Sequence, residues 1–260
     1  MKRLSNLLRA LIENDIDEFL KHLDERDIKD PLGFTPLEIA RFLDKRECVN
    51  LLKKPHDTSF LIHFKDKREN LSQRQFERAF HIHYLPHLKF RNYHFFKNVI
   101  KSCPFAFRRT SLGEEMQRLG MEFKTHIQNA YIADVSVRWI DDTIGFGLFA
   151  EKPLKPKAFL GAYTGMFHKL RFSMQENSPY AFQYPRLFWP LRPFAIDAEI
   201  QGNLLRFVNH SHLPNLEAKG ALDRGLIHII FLAKRPIESG DELTLNYGKS
   251  YWRKRLCSRP

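Results

Sequence analysis

Apolar residues recur at helical spacing through the first fifty positions of the chain. Leu4, Leu8 and Leu11 belong to one such stripe, and residues 16–23 repeat the pattern. This spacing places apolar side chains on one face of a helix, with polar residues on the other. It predicts a helical region over residues 1–54.

A turn and a second helix start follow within this region. Gly33 can adopt the positive φ of a turn, Thr35 can cap a helix, and Pro36 suits the first helical position. This turn and its Thr-Pro-Leu helix start resemble the ankyrin repeat. Because such units need neighbours to bury their faces, we expect the segment to dock on the rest of the chain. It is either a helical cap or a peptide-binding element.

Residues 55–130 combine basic and aromatic side chains, and we interpret them as a helical connector. Between Lys65 and Arg109 there are 11 basic and 3 acidic residues, with aromatic residues interleaved. This alternation is typical of nucleic-acid contacts, but aromatic core residues beneath a solvated basic face produce the same pattern. The segments 65–109 and 249–259 are therefore candidate surfaces for nucleic acid or an acidic protein.

Four histidines of the connector raise the question of a metal site: His81, His83, His87 and His94. Pro86 breaks the helical phase among them, and no cysteine or carboxylate completes a ligand set. We therefore predict no metal site here.

From residue 131 onward the pattern changes. Residues 135–139 alternate apolar and polar side chains, residues 227–232 are apolar except for His228, and alternation returns over residues 243–247. Such segments predict short strands. The expected fold class is α+β, with the helical regions followed by a β-rich domain over residues 131–260, and not a doubly wound α/β fold.

Composition adds a strong basic excess. The 260 residues include 42 Lys+Arg and 30 Asp+Glu, a formal net charge of +12. This excess favours polyanionic partners, or it serves solubility alone. No apolar run approaches the roughly 20 residues of a membrane span, and no signal-peptide pattern opens the chain. We therefore expect a cytoplasmic protein without membrane association, and its 3 cysteines fit a reducing compartment.

Short segments in the second half carry the candidate chemistry. They are Gly145-Phe146-Gly147, Gly161-Ala162-Tyr163-Thr164-Gly165, Arg206-Phe207-Val208-Asn209-His210-Ser211 and Glu242-Leu243-Thr244-Leu245-Asn246-Tyr247-Gly248. Paired glycines let a backbone approach a ligand closely. No third glycine and no helical pattern follow the first pair, which excludes a dinucleotide-binding loop.

Together and in this order, the four segments resemble the SET-domain protein lysine methyltransferases. The resemblance covers about residues 133–252. It implies a β-rich fold with a knot-like C-terminal core and S-adenosylmethionine as the methyl donor. It also implies a protein substrate that presents a lysine in a peptide or tail, such as a histone, and hence a role in chromatin.

The resemblance also implies roles for individual residues. Tyr247 would be the principal catalytic residue, and Tyr163 would flank the lysine channel with it. Leu245 would line this channel and leave room for a second or third methyl group. The implied cofactor-binding residues are Gly145, Phe146, Gly147, Tyr180, Arg206, Asn209 and His210.

The sequence departs from many relatives near its end. His212 stands where many have a cysteine, and only Cys257 follows Tyr247 in place of a Cys-X-Cys module, so we expect no structural zinc. Trp252 would cover the adenine or close the channel in place of that module, or else be a core tryptophan. These features are typical of a compact, zinc-free type.

The predicted function is an S-adenosylmethionine-dependent protein lysine N-methyltransferase. Two alternatives stay open: a SET-fold binding module with weak or lost catalysis, and a basic chromatin or nucleic-acid adaptor. A minimal SET domain joined to ankyrin repeats occurs in intracellular bacteria, which suggests a protein secreted into a host cell that acts in its nucleus.

Overall fold

The computed structural model describes residues 4–53, 58–103, 109–169, 178–184 and 194–248. The helices of the described chain are α1 (Asn6–Glu13), α2 (Ile16–Lys21), α3 (Pro36–Phe42), α4 (Arg46–Leu52), α5 (Gln73–Phe80), α6 (Tyr93–Lys101), α7 (Ser111–Glu122) and α8 (Lys124–Gln128). Its strands are β1 (Ser59–Phe64), β2 (Lys67–Ser72), β3 (His83–Tyr84), β4 (Lys89–Phe90), β5 (Val135–Asp141), β6 (Gly145–Ala150), β7 (Phe159–Ala162), β8 (Gly165–Lys169), β9 (Ala181–Gln183), β10 (Phe194–Gly202), β11 (Asn209–His210), β12 (Leu216–Asp223), β13 (Leu226–Ala233) and β14 (Thr244–Leu245).

The N-terminal region is helical, as its apolar pattern predicts. Leu7 and Leu11 of α1 are fully buried. Thr35 caps α3: its hydroxyl oxygen accepts a hydrogen bond from the Glu38 amide at 3.3 Å, and the Glu38 carboxylate accepts one from the Thr35 amide at 2.9 Å. This capping box, with Pro36 in the first helical position, explains why α3 begins where it does.

The connector is only partly helical, which corrects the prediction for residues 55–130. Strand β1 pairs antiparallel with β2 and parallel with β5, so the connector contributes two strands to a sheet of order β2-β1-β5-β6. Phe60 and Ile62 are buried at alternate positions of β1, which is strand periodicity. The polar, exposed strand β2 lies at the sheet edge, and its composition hides that signal.

The β-rich part is built from short strands, as predicted. One sheet has the order β3-β10-β8-β4 with β9 beside β10, another the order β12-β13-β7, and β11 pairs in parallel with β14. Every residue of β13 is buried, which matches the apolar run and extends to the one polar residue within it, His228. The pairing of β11 with β14 sets Asn209 opposite Thr244 and His210 opposite Leu245.

The strand predicted over residues 243–247 is shorter than its alternation indicates. Strand β14 ends at Leu245, and the Asn246 side chain accepts a hydrogen bond from the Gly248 amide at 2.8 Å. Gly248 has a φ of +82°, a conformation that favours glycine. This local turn ends the strand and leaves Tyr247 beyond it.

The N-terminal region docks on the β12–β13 hairpin, which agrees with the expectation that it packs against the rest of the chain. Arg224 at the hairpin tip donates to the Gly33 carbonyl at 2.7 Å and pairs with the Glu38 carboxylate at 2.5 Å. Its guanidinium lies 3.9 Å from the centroid of the Phe34 ring. One side chain of the β-rich part thus contacts the turn and the first helical turn of α3.

One apolar core joins the three parts of the chain. Leu7 of the N-terminal region, Phe96 of the connector and Phe167 of β8 belong to the same cluster of buried residues. Within the described residues, no helix has both the length and the apolar character that crossing a membrane requires.

Candidate active site

The two glycines at the start of β6 have different surroundings. Gly145 has a φ of +79°, and a Cβ atom there would meet no atom within 4 Å. At Gly147, a Cβ atom would lie 2.9 Å from the Glu242 Oε1 atom and 3.0 Å from the Asn209 Nδ2 atom. Gly145 therefore permits the turn, and Gly147 permits the close approach of two other segments.

Asn209 joins this turn to the C-terminal segment. Its Nδ2 atom donates to Glu242 Oε1 at 2.9 Å and to the Phe146 carbonyl at 3.3 Å. Strand pairing places Asn209 beside Thr244 at the same time. The structure thus brings together the predicted cofactor residues Phe146, Gly147 and Asn209.

The Phe146 ring contributes to an aromatic cluster. It lies 5.1 Å from the Trp139 ring, 4.9 Å from the Phe80 ring and 6.0 Å from the Phe64 ring, measured between centroids. Phe64 and Phe80 come from the connector, which sequence reasoning did not associate with the site. The aromatic residues of the connector were visible in the sequence, but their partner across the fold was not.

Tyr247 is held by two hydrogen bonds to the segment that contains β11. Its hydroxyl donates to the Val208 carbonyl at 2.6 Å, and its backbone amide donates to His210 Nδ1 at 3.1 Å. Burial, with a smaller contribution from His212, lowers the pKa of His210. A neutral imidazole can accept at Nδ1, so this environment favours the bond that fixes Tyr247.

Tyr163 lies in an apolar setting with its hydroxyl bound to backbone. Its side chain is buried, and its hydroxyl donates to the Tyr180 carbonyl at 2.5 Å. The rings of Phe182 and Phe231 lie 5.0 and 5.8 Å from its own. Burial raises the pKa of Tyr163 well above its ordinary value, and Tyr247 adds to this rise, so the phenol stays protonated.

Arg206 contacts Tyr180 and the backbone of β10. Its Nε atom donates to the Ala198 carbonyl at 2.9 Å and its Nη2 atom to the Glu199 carbonyl at 3.1 Å. Its guanidinium lies 4.0 Å from the centroid of the Tyr180 ring. These contacts position Tyr180, and a direct contact of Arg206 with a cofactor stays a prediction.

The other predicted residues differ in what the structure says of them. Leu245 is buried in β14 opposite His210. Trp252 and the basic segment 249–259 lie outside the described residues. The roles assigned to them stay predictions.

Two buried asparagines that were not among the predicted site residues connect segments of the site through hydrogen bonds. Asn215 donates to the Glu242 carbonyl at 2.8 Å and accepts from the Thr244 amide at 2.8 Å. Asn203 donates to the Ala162 carbonyl at 2.7 Å. Asn203 shortly precedes the Arg206–Ser211 motif in the sequence, and Asn215 shortly follows it. This proximity is the feature of the sequence that could have identified them.

The connector histidines have separate surroundings. His83 contacts Asp44 at 2.9 Å and Arg46 at 2.9 Å, whereas His87 lines a cavity beneath the N-terminal region. Among the described residues, no group of three or more His, Cys, Asp or Glu side chains is placed to hold a metal ion. Cys257 lies outside those residues.

Comparison with known proteins finds a family model over this site. Residues 145–248 match the model of the SET domain, from the first glycine of β6 to the glycine after Tyr247. The matched part of the chain contains all four motifs.

Individual relatives are named as enzymes. The chain is 31% identical over 160 residues to the histone-lysine N-methyltransferase MEDEA of Arabidopsis thaliana. This alignment covers 58% of this chain and 22% of that protein. It is 33% identical over 116 residues to the histone-lysine N-methyltransferase Set8 of Drosophila melanogaster, over 40% of this chain and 16% of that protein. The chain thus spans less than a quarter of the length of these relatives.

A solved structure also aligns with part of the chain. It is the crystal structure of KRYPTONITE in complex with mCHH DNA, H3(1-15) peptide and SAH. The alignment has a TM-score of 0.36 and 27% sequence identity, and it covers 44% of this chain and 23% of that chain.

Proposed function

We propose that the chain is an S-adenosylmethionine-dependent protein lysine N-methyltransferase. The observation that carries the proposal is the convergence of three motifs in the SET domain. Val208 and His210 hold Tyr247 through hydrogen bonds, and Asn209, which lies between them in the sequence, is bonded to the Phe146 carbonyl in the glycine turn of β6. The candidate catalytic tyrosine and a candidate cofactor ligand are thereby placed close together where β11 pairs with β14.

The residues fit the proposed cofactor. The turn at Gly145 is open on the side that a Cβ atom would fill, while both amide hydrogens of Asn209 are committed to protein acceptors. Asn209 therefore offers its side-chain oxygen, an acceptor for an ammonium group. The turn at 145–147, Asn209 and His210 would hold S-adenosylmethionine, which supplies a methyl group on a sulfonium when bound.

The nucleophile must be a neutral lysine. A free lysine has a pKa near 10.4, so at pH 7 deprotonation costs about 4.6 kcal/mol. The aromatic side chains of Tyr163, Phe182 and Phe231 form an apolar wall, which lowers the pKa of an amine placed beside it. This wall favours the uncharged, reactive form of the substrate.

The two tyrosines orient the reacting groups. The hydroxyl hydrogen of Tyr247 is directed to Val208 and that of Tyr163 to Tyr180, both to backbone carbonyls. Each phenol oxygen therefore presents lone pairs to its other side, where it can accept from an amine or a polarised methyl group. Holding the amine in line with the methyl group supplies much of the rate.

We infer that the substrate is a basic protein segment such as a histone tail. The exposed carboxylates of Glu199, Asp141 and Asp142 can attract such a segment despite the basic charge of the whole chain. The named relatives support this proposal because they are histone-lysine methyltransferases. A cytoplasmic or host-nuclear site of action is part of the same proposal.

The finer features of the chain are proposals as well. We infer that α1–α4 are an ankyrin-like cap, supported by the capping box at Thr35 and the positive φ of Gly33. We also infer that the pairing of β11 with β14 belongs to a knot-like core of a compact, zinc-free SET domain.

Incubation of the full chain with labelled S-adenosylmethionine tests the proposed activity. Core histones, bacterial DNA-binding proteins and a cell lysate serve as substrates, with Tyr247→Phe as the matched control. We expect label on lysine residues of a protein substrate and little label with the variant. Cofactor binding without transfer to any substrate would favour the binding-module alternative.

The adaptor alternative has support from one surface. No acidic residue occurs in residues 91–103, and Arg91, His94 and Lys101 are exposed on or just before α6. Such a surface suits a polyanion. Salt-dependent DNA binding that is indifferent to S-adenosylmethionine would favour this alternative.

A further inference from the structure

Glu242 is a carboxylate without an assigned role inside the candidate site. It lies in the segment that leads into β14, where its backbone forms a bridge with Phe149. Its Oε1 atom accepts from the Asn209 Nδ2 atom at 2.9 Å. Within the described part of the chain, no cationic side chain forms an ion pair with it. A half-buried carboxylate therefore has a neutral amide as its neighbour.

The absence of a side chain at Gly147 makes room for this pair. A Cβ atom at Gly147 would stand 2.9 Å from Glu242 Oε1 and 3.0 Å from Asn209 Nδ2. Neither side chain could keep its place beside a larger residue. The pair thus depends on three segments that are distant in sequence, those of Gly147, Asn209 and Glu242. The side-chain amide of Asn215 also donates to the backbone carbonyl of Glu242 at 2.8 Å and helps to hold that segment.

A carboxylate controls which way the asparagine amide faces. An asparagine side chain can present either its oxygen or its NH2 group to a neighbour, but an ionised carboxylate only accepts hydrogen bonds. Glu242 on one side and the Phe146 carbonyl on the other both require the NH2 group of Asn209. The oxygen of Asn209 must then face away from both acceptors.

The geometry points to Glu242 as a positioning residue that turns the oxygen of Asn209 toward the ammonium group of an amino-acid ligand. This inference rests on the proposed function, because the ligand is the methionine end of S-adenosylmethionine or its product. The negative charge of Glu242, transmitted across one hydrogen bond, also favours a cation at that oxygen. Glu242 thereby adds selectivity for the charged amino group without touching it.

A purely structural role would leave a different signature. If Glu242 only held β6, β11 and β14 together, its loss would weaken the binding of every ligand at the site. A positioning role acts on the amino group alone. Two ligands that differ only at that group separate the roles: S-adenosylhomocysteine, and its analogue with a hydroxyl in place of the α-amino group.

Calorimetry on the full chain with these two ligands tests the inference. Glu242→Gln keeps the shape but removes the charge, and its amide can present either an oxygen or an NH2 group to Asn209, so only the Phe146 carbonyl still requires the NH2 group of Asn209. We expect it to weaken S-adenosylhomocysteine binding on the order of tenfold, as for loss of a hydrogen bond to a charged group. Binding of the hydroxyl analogue should be nearly unchanged. Glu238→Gln, at an exposed glutamate four residues earlier, is the matched control and should change neither affinity.

The outcomes separate the two levels of the proposal. Equal weakening of both ligands, or no change in either, would overturn the positioning role while leaving the proposed function intact. Failure of the wild-type chain to bind S-adenosylhomocysteine would overturn the proposed function and this inference together. Thermal unfolding of Glu242→Gln, expected to match the wild type, verifies that the variant is folded.

Discussion

Two contacts join distant parts of this chain, and they are made from different chemistry. At the junction of the N-terminal region with the β12–β13 hairpin, Arg224 pairs with Glu38 and Asp223. At the crossing of β11 and β14, neutral side chains such as Asn215 and Tyr247 bind backbone groups. The first contact depends on ion pairs, and the second on amides, a phenol and one carboxylate, Glu242, whose bonded partner is the neutral Asn209.

This difference has consequences for how each contact responds to change. Hydrogen bonds from amides and a phenol to backbone fix atoms at defined positions and do not titrate near neutral pH, and the lowered pKa of His210 keeps its bond to the Tyr247 amide in place there as well. Charged groups in a partly buried junction change the free energy of unfolding when a partner is removed or a neighbour gains a proton. We therefore expect changes at the crossing to alter activity, and changes at the junction to alter stability.

The largest expected effect is at the crossing. Tyr247→Phe removes one oxygen and keeps the ring, so the rate of methylation should fall on the order of 10²–10³-fold, as for loss of one oxyanion donor. Cofactor affinity should change little, since the hydroxyl acts mainly in the transition state. Single-turnover methylation and cofactor binding, measured side by side, provide the check.

Tyr131→Phe controls for the substitution, because this tyrosine is exposed. A Tyr247→Phe variant that methylates at nearly the wild-type rate would reduce Tyr247 to a wall of the channel. The assignment of catalysis to this residue would then be wrong.

The second effect is at the junction. Arg224→Ala leaves Glu38 and Asp223 without their partner and removes the contact with Phe34. Breaking a buried pair costs about 3–5 kcal/mol, and partial exposure reduces this to about 2–3 kcal/mol of unfolding free energy. Urea unfolding measures the loss.

Arg235→Ala is the matched control for Arg224→Ala, because Arg235 is exposed and makes a single bond at 3.2 Å to the Leu213 carbonyl. An equal loss of unfolding free energy in both variants would show that the ion pairs of Arg224 contribute no more to stability than the surface contact of Arg235. The activity of the folded Arg224→Ala protein should stay near the wild-type value.

The third effect is a pH dependence of the same junction. Burial lowers the pKa of His228 to about 4, with Arg224 opposing protonation and Asp223 and Glu38 favouring it. In the unfolded chain His228 binds a proton with a pKa near 6.5, whereas in the folded chain it stays neutral down to about pH 4. Lower pH therefore favours unfolding. The contribution of His228 to the free energy of unfolding is fully present above pH 6.5 and is lost as the pH approaches 4.

The size of this pH effect follows from the titration. One proton corresponds to about 1.4 kcal/mol per pH unit, so His228 contributes a loss of about 2 kcal/mol between pH 6.5 and pH 5. Urea unfolding across this range checks it, and His228→Gln should flatten the profile by that amount. An unchanged profile in the variant would mean that His228 is not the group that titrates.

The sequence predicted features that depend on neighbouring residues. The start of α3 follows from Thr35 and Pro36, and the buried strand β13 follows from an apolar run that only His228 interrupts. The order and spacing of the four motifs resemble a known family, and Asn209 and Tyr247 were selected in this way. The structure brings residues of three motifs into contact, while the roles assigned to them stay predictions.

The features that the sequence did not predict depend on contacts across the fold. Arg224 is a single arginine in a hairpin turn, and its partner Glu38 lies 186 residues away. Strand β1 pairs in parallel with β5, which belongs to another region of the chain. Glu242 was part of a motif, but only the distance to Asn209 distinguishes it from other acidic residues.

The smallest expected effect sharpens the comparison from within the junction. Thr35→Ala removes the N-cap of α3 and should cost about 1 kcal/mol of unfolding free energy. The Thr35 hydroxyl donates to the Glu38 carboxylate at 3.1 Å, and that carboxylate also pairs with Arg224, so one carboxylate serves the cap and the junction. The loss of either partner leaves that carboxylate less well held for the other. The double variant Thr35→Ala/Arg224→Ala should therefore lose less stability than the sum of the single variants, by about 0.5 kcal/mol or more.

Urea unfolding of the four proteins of this cycle measures the coupling. Ser5→Ala combined with Arg224→Ala is the control, because Ser5 caps α1 by accepting from the Leu8 amide at 3.3 Å and makes no contact with Arg224. That control pair should be additive within about 0.3–0.5 kcal/mol. Additivity in the Thr35 cycle as well would mean that Glu38 holds its two contacts independently. The junction would then consist of independent bonds. It would differ from the pairing of β11 with β14 only in the charge of the side chains that form it.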